Sequence, residues 1–177
     1  MSIVKTNKFQ TLAGDTMNVP IQVVRTSVGN QATTSVKSNE NAAYAISTTT
    51  TTWTDYSFLQ LTITPKFANS IIKLELCCYL NQDATTGYGG VGIRIRRGTT
   101  IVWEPQSNTT GPYGSLYSGQ VYFTPTFIVF DSPAVTTPIT YILQYRTYNG
   151  TSSTLFAYPG STQFGSINTF VATEIAQ

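Results

Sequence analysis

Histidine is absent from the 177 residues. That removes the Ser–His–Asp and Cys–His arrangements of nucleophilic catalysis and every histidine metal site. The 8 carboxylates are Asp15, Glu40, Asp55, Glu75, Asp83, Glu104, Asp131 and Glu174. None forms a calcium-loop spacing or a recognisable acid–base pair. A glycosidase needs only two carboxylates that the fold brings together, so that chemistry survives as a minor alternative. The 2 cysteines, Cys77 and Cys78, are adjacent. On a strand they face opposite ways, which is poor geometry for bonding to each other, and two thiols do not build a zinc site. Cys78 reads as a small core residue and Cys77 as a surface or interface residue. The glycines of residues 87–90 resemble a phosphate loop in composition alone, because no helix pattern follows to hold an anion. The expectation is a protein that is not an enzyme and needs no cofactor.

Net charge is +2, and the basic residues cluster only at Arg94, Arg96 and Arg97. That run is too short for a nucleic-acid face. Aromatic residues are more telling. Tyr44, Tyr56, Tyr79, Tyr88, Tyr113, Tyr117 and Tyr158 fall in or near loops and outward faces. Singly they read as ordinary packing; the loop set together reads as a binding surface.

The elements that must position these residues are strands. Charged residues make up only 10% of the chain, and its polarity comes from Thr, Ser, Asn, Gln and Gly, with 11 Tyr. That mix favours strands over helices. Ile72, Leu74, Leu76, Cys78 and Leu80 alternate with Lys73, Glu75 and Tyr79, the period of a half-buried strand. Leu61 to Leu80 reads as two antiparallel strands joined by Lys66–Ser70, at the centre of the core. Val91 to Ile95 and Thr100 to Glu104 read as a hairpin turning at Arg97-Gly98-Thr99. Val121 to Phe130 is apolar on both faces, which calls for a second layer or a subunit outside it. Ile139 to Tyr145, Leu155 to Ala157 and Ile167 to Ile175 supply the last strands, with a turn at Asn149-Gly150. The expected fold is all-β, an antiparallel β-sandwich of jelly-roll type with a short N-terminal arm.

Three regions follow. Residues 1–30 hold two short apolar pieces around a turn signal, and read as edge strands or as an arm that docks on another protein. Residues 31–52, rich in Thr, Ser and Asn, read as an extended connector or a disordered linker. Residues 53–177 are the sandwich. The segment MSIVKTNKFQ has no apolar core of signal-peptide length, and no run reaches the length of a membrane helix. The expectation is synthesis in a cytoplasm, without membrane insertion or nucleic-acid binding.

An ordered set of motifs extends this reading. It comprises Val4-Lys5-Thr6-Asn7, Gln10-Thr11-Leu12-Ala13-Gly14 and Ile21-Gln22-Val23-Val24. Leu61-Thr62-Ile63-Thr64-Pro65-Lys66, Ser70-Ile71-Ile72-Lys73-Leu74 and Ile95-Arg96-Arg97-Gly98-Thr99 follow. Asp131-Ser132-Pro133-Ala134, Thr140-Tyr141 and Thr173-Glu174-Ile175-Ala176 complete it. In order and spacing the set resembles small structural proteins of tailed bacteriophages, especially those infecting cyanobacteria and marine bacteria. Those virion proteins carry a trimeric jelly roll similar to the tumour-necrosis-factor-like fold. The resemblance spans nearly the whole chain, although the Tyr-Gly loops at 87–90 and 111–119 have no counterpart in it.

The resemblance implies a homotrimer on a virus particle, assembled with other virion proteins. On this reading Phe127, Val129, Phe130, Val171 and Ile175 form the trimer contact. Ile3, Val4, Phe9, Leu12, Ile21 and Val23 dock the arm on the virion. Tyr88, Tyr113, Tyr117 and Tyr158 reach a host surface glycan or protein. The expected role is a tail-fibre or adhesion module contacting the host through its loops. The alternative is a capsid decoration, cement or head-fibre protein with a structural job; a polysaccharide-degrading enzyme is the minor alternative.

Overall fold

Alternation of buried and exposed side chains dominates the described residues, and every regular element among them is a strand. The computed structural model describes residues 9–10, 16–17, 20–29, 46–84, 91–104, 119–147, 153–155 and 167–175, with no helix among them. The first strands are β1 (Phe9–Gln10), β2 (Thr16–Met17), β3 (Pro20–Gly29), β4 (Ile46–Thr48) and β5 (Thr54–Ile63). Next come β6 (Ile71–Cys77), β7 (Leu80–Ala84), β8 (Val91–Arg97), β9 (Thr100–Trp103) and β10 (Gly119–Phe123). The last are β11 (Thr126–Asp131), β12 (Ile139–Thr147), β13 (Ser153–Leu155) and β14 (Ile167–Ile175).

Two four-stranded antiparallel sheets, ordered β11-β6-β14-β3 and β5-β12-β8-β9, form a β-sandwich. A third sheet, β10-β7-β13-β4, prolongs the first, and β1 pairs with β2. The pairing is nested. β3 pairs with β14, β4 with β13, β5 with β12, β6 with β11, β7 with β10 and β8 with β9. From β3 to β14 the pairing thus runs outermost with outermost, inward to the hairpin of β8 and β9. Its tip is Gly98, at φ +57° between paired residues Arg97 and Thr100. A two-residue hairpin loop with positive φ at its first position selects glycine there.

The core is the inner faces of both sheets in one cluster. Leu59, Leu61 and Ile63 come from β5, Ile72, Leu74 and Leu76 from β6, and Ile93 and Ile95 from β8. Tyr141 and Leu143 come from β12, and Phe170 and Ala172 from β14. Cys78 is buried and Cys77 half-buried, both free thiols, as their opposite facing requires. Burial pushes the Cys78 thiol well above its ordinary value.

One expectation needs correction: Leu61–Ile63 and Ile72–Leu76 do not pair. β5 and β6 lie in different sheets, and the link at 64–70 crosses the sandwich between them. Two alternating runs with a short connection fit a hairpin or a crossover equally well, and burial of both inner faces selects the crossover. Of the two readings of residues 1–30, residues 20–29 take the edge strand. β3 runs antiparallel to β14 from Gly29↔Ile167 to Pro20↔Ile175. Its Val24 packs against the core. The extended connector is tied down where it reaches the sheet. Thr147 N donates to Thr50 O at 2.6 Å, and Thr147 Oγ1 donates to the same oxygen at 3.0 Å. β3 shares a sheet with β6, β11 and β14.

The run 121–130 is also broken, at Thr124-Pro125, into β10 and β11. The register is unchanged across the break, with Phe123 opposite Leu80 and Thr126 opposite Cys77. Cys78 N still donates to Pro125 O at 3.2 Å, but proline has no N–H to return the bond. There β14 leaves the ladder, and its buried Asn168 accepts the Tyr79 N–H at 2.7 Å. Beyond that point β13 takes over as the neighbour of β7.

Candidate functional site

Period-two alternation gives each sheet an outward face, and the two outward faces differ in chemistry. On β11 the inward residues are Phe127 and Val129 and the outward ones are Ile128 and Phe130. Ile128 is 56% and Phe130 61% exposed, whereas Val129 is 7% exposed. The rows of this outer face follow from the register. Phe130, Lys73, Thr173 and Val23 lie side by side, and next to them Ile128, Glu75, Val171 and Arg25. Lys73 and Glu75 form an ion pair at 2.9 Å. Val23 is 61% exposed, so large apolar side chains stand at both edges of the face.

The expected trimer-contact residues therefore separate. Phe130, Val171 and Ile175 occupy outward positions, the last two half-buried. Val129 belongs to the core. Phe127 packs inward on Trp103 of β9, ring centroids 4.7 Å apart, and so joins the two sheets. Neither is a free surface, because residues of opposite parity on a strand cannot share a face. Ile128 is the outward residue that the expected set omits, and its shared parity with Phe130 was the signal for it. Of the docking residues, Ile3, Val4 and Leu12 lie outside the described residues. Phe9 lies in β1 and Ile21 in β3. Tyr88, Tyr113, Tyr117 and Tyr158 lie outside the described residues, as does the turn at Asn149-Gly150.

The outer face of β5-β12-β8-β9 is polar. Asp55, Gln144 and Arg94 stand opposite one another on three strands. Gln144 Nε2 donates to Asp55 Oδ1 at 2.7 Å, and Arg94 Nε donates to Gln144 Oε1 at 2.6 Å. Arg94 continues the row to Glu104 at 3.2 Å. Arg96 grips the Asp55 carboxylate in two-point fashion, with Nε at 2.9 Å from Oδ1 and the second bond to Oδ2. It also donates to Gly98 O at 2.6 Å. The Arg96 hydrogen bond, helped by Gln144, holds the Asp55 carboxyl below its ordinary range against the opposing effect of burial.

Beside this row Trp53 stands over Gly92. A Cβ at residue 92 would lie 3.0 Å from the indole Cη2 and 3.3 Å from Arg146 Cγ, so the bare glycine makes the seat. The guanidinium carbons of Arg94 and Arg146 each lie 4.5 Å from the indole ring centre. Trp53, Asp55, Arg94, Arg96, Ile101 and Gln144 line an open groove of about 620 Å³.

Two further polar ties are inside the sandwich. Asp131 of β11 accepts from Arg97 Nε and from Tyr141 OH, each at 2.7 Å, which joins the sheets at one end. Burial and the Asp131 bond push the Tyr141 phenol up. At the crossover, the buried Glu174 carboxylate accepts from Ser70 Oγ, Gln22 Nε2, Lys66 N and Phe67 N. Asp55, Glu75, Glu104 and Asp131 each carry a Lys or Arg partner. Among the described residues no group of His, Cys, Asp or Glu is arranged to hold a metal ion. In comparison with known proteins, no family model matches the chain and no curated protein matches it.

Proposed function

We propose that this chain is a structural protein of a bacteriophage virion, a jelly-roll subunit of a homotrimeric tail-fibre or adhesion module that contacts the host surface. The observation that carries the reading is the bare apolar edge of the first sheet. Ile128 and Phe130 are more than half exposed on β11, and Val23 is equally so on the far strand. Large apolar side chains on an otherwise regular sheet face favour burial against another protein surface, and a second copy offers the same face. The nested strand pairing, in two four-stranded sheets, supports the jelly-roll part of the reading. The low charge of the chain suits a surface largely covered by neighbours.

On this reading the sheet face bearing Phe130 is turned to the other subunits, and the loops rich in Tyr, Gly, Asn and Ser are left to meet the host. The test has two parts. Sedimentation of the purified chain at micromolar concentration should give a trimer. The trimer should bind susceptible cells and slow phage adsorption. A monomer would remove the assembly claim. A trimer that does not compete for adsorption, with density on the capsid shell and none on the tail, would shift the role to capsid decoration.

A further inference from the structure

The groove on the polar sheet face has the chemistry of a sugar site. Arg96 is paired with Asp55 and Arg94 with Glu104, while Arg146 on the Trp53 ring adds one further positive charge. An anion would therefore meet far less positive field than three unpaired arginines would give. The polar groups are held before any ligand arrives. Gln144, almost fully buried, bridges Asp55 and Arg94, and Arg96 is fixed by Asp55 and by the Gly98 carbonyl. Groups fixed in advance lose little freedom on binding.

Hydrogen-bonding capacity is left over. A guanidinium carries five N–H donors and a carboxylate about four acceptor positions. Arg94 spends its Nε on Gln144 and one Nη1 bond on Glu104. Asp55 accepts from Arg96 and Gln144. Donors thus lie beside acceptors on one rigid surface. Vicinal hydroxyls of a sugar, each able to donate and accept, match that pattern. The exposed Ile101, lining the groove, supplies apolar area for the C–H face of a pyranose ring.

We propose that this groove is a subsite for a neutral saccharide, with vicinal hydroxyls bound by Asp55, Arg94 and Arg96. It lies on the sheet face, apart from the loops of the reading above, and does not depend on the trimer.

The test is saturation-transfer NMR on the full chain. The probes are neutral oligosaccharides of glucose, galactose and mannose, with a uronic-acid oligosaccharide and inorganic phosphate in parallel. A neutral oligosaccharide is expected to bind, and Asp55→Asn and Ile101→Trp are each expected to weaken it by about tenfold or more, the loss of one charge-assisted hydrogen bond or of the groove's space. Ile101→Trp fills the groove from an exposed strand position without touching the ion pairs, so it decides alone if Asp55→Asn fails to fold. The proposal is overturned if no neutral saccharide binds, if Ile101→Trp leaves binding unchanged, or if the acidic probes bind in preference. Saccharide binding without competition for phage adsorption would count against the host-adhesion role alone.

Discussion

Ser70 Oγ donates a 2.7 Å hydrogen bond to Glu174 Oε1 across 104 residues of sequence, pinning the sheet-to-sheet crossover to β14. The same carboxylate holds Gln22 of β3 at 2.7 Å and the Lys66 and Phe67 amides. Burial raises its pKa, but the bonds from Ser70, Gln22, Lys66 and Phe67 together outweigh it and hold the group below the ordinary 4.5.

The sign for stability follows from that lowered value. The unfolded chain takes up the proton more readily, so the contribution is complete above pH 4.5 and is lost as pH falls through the lower folded value. Glu174→Gln puts an amide N–H₂ among four donors. We expect it to destabilise the chain by about 2–3 kcal/mol at neutral pH and to flatten the acid limb of the stability curve. Urea unfolding from pH 3 to 7 is the measurement, and an unchanged acid limb would show that other groups set it.

Neighbouring residues on β11 should behave oppositely. Phe130→Asp places a charge on an exposed position and should change monomer stability by no more than about 0.5 kcal/mol while preventing the proposed trimer from forming. Ile128→Asp should do the same. Val129→Asp buries an unpaired charge in the core and should unfold the chain, at several kcal/mol. Sedimentation and thermal melts separate the three. An oligomer that survives both Phe130→Asp and Ile128→Asp would place the contact elsewhere.

Truncations locate the start of the folded unit. Removal of residues 1–19 leaves β3 in place and should preserve the cooperative melt. Removal of residues 1–29 strips Val24 from the core and Gln22 from Glu174, and leaves the β14 edge unpaired. That shorter chain should aggregate. Circular dichroism with size exclusion reads both, and a stable monomeric product of the longer truncation would return β3 to the status of an arm.

Ala134 sits at φ +57°, where a Cβ is disfavoured by roughly 1 kcal/mol or more. Ala134→Gly relieves that strain at the expense of a more flexible unfolded chain, for a net gain of about 0.5 kcal/mol. A small rise in Tm is the expected result, and a fall would mean that the turn tolerates the alanine without strain.

What the sequence determined by itself was local. Strict alternation at 72–80 and 91–95 declared strands, their inward residues and the absence of helix. It set Cys78 inside and Cys77 outward, and Gly98 marked the tip of the hairpin. Each of these depends on a side-chain period of two or on the backbone freedom of one glycine. The tertiary structure alone decided which strands meet. β5 pairs with β12 and not with β6, β3 is a sheet strand under β14, and Glu174 joins Gln22 and Ser70. It likewise brought Asp55, Gln144, Arg94 and Glu104 into one row, four polar residues with no common spacing. Alternation says which way a side chain points but not which neighbour it will find. The neighbour follows from burying two apolar sheet faces at once along one chain, and that condition belongs to the whole fold.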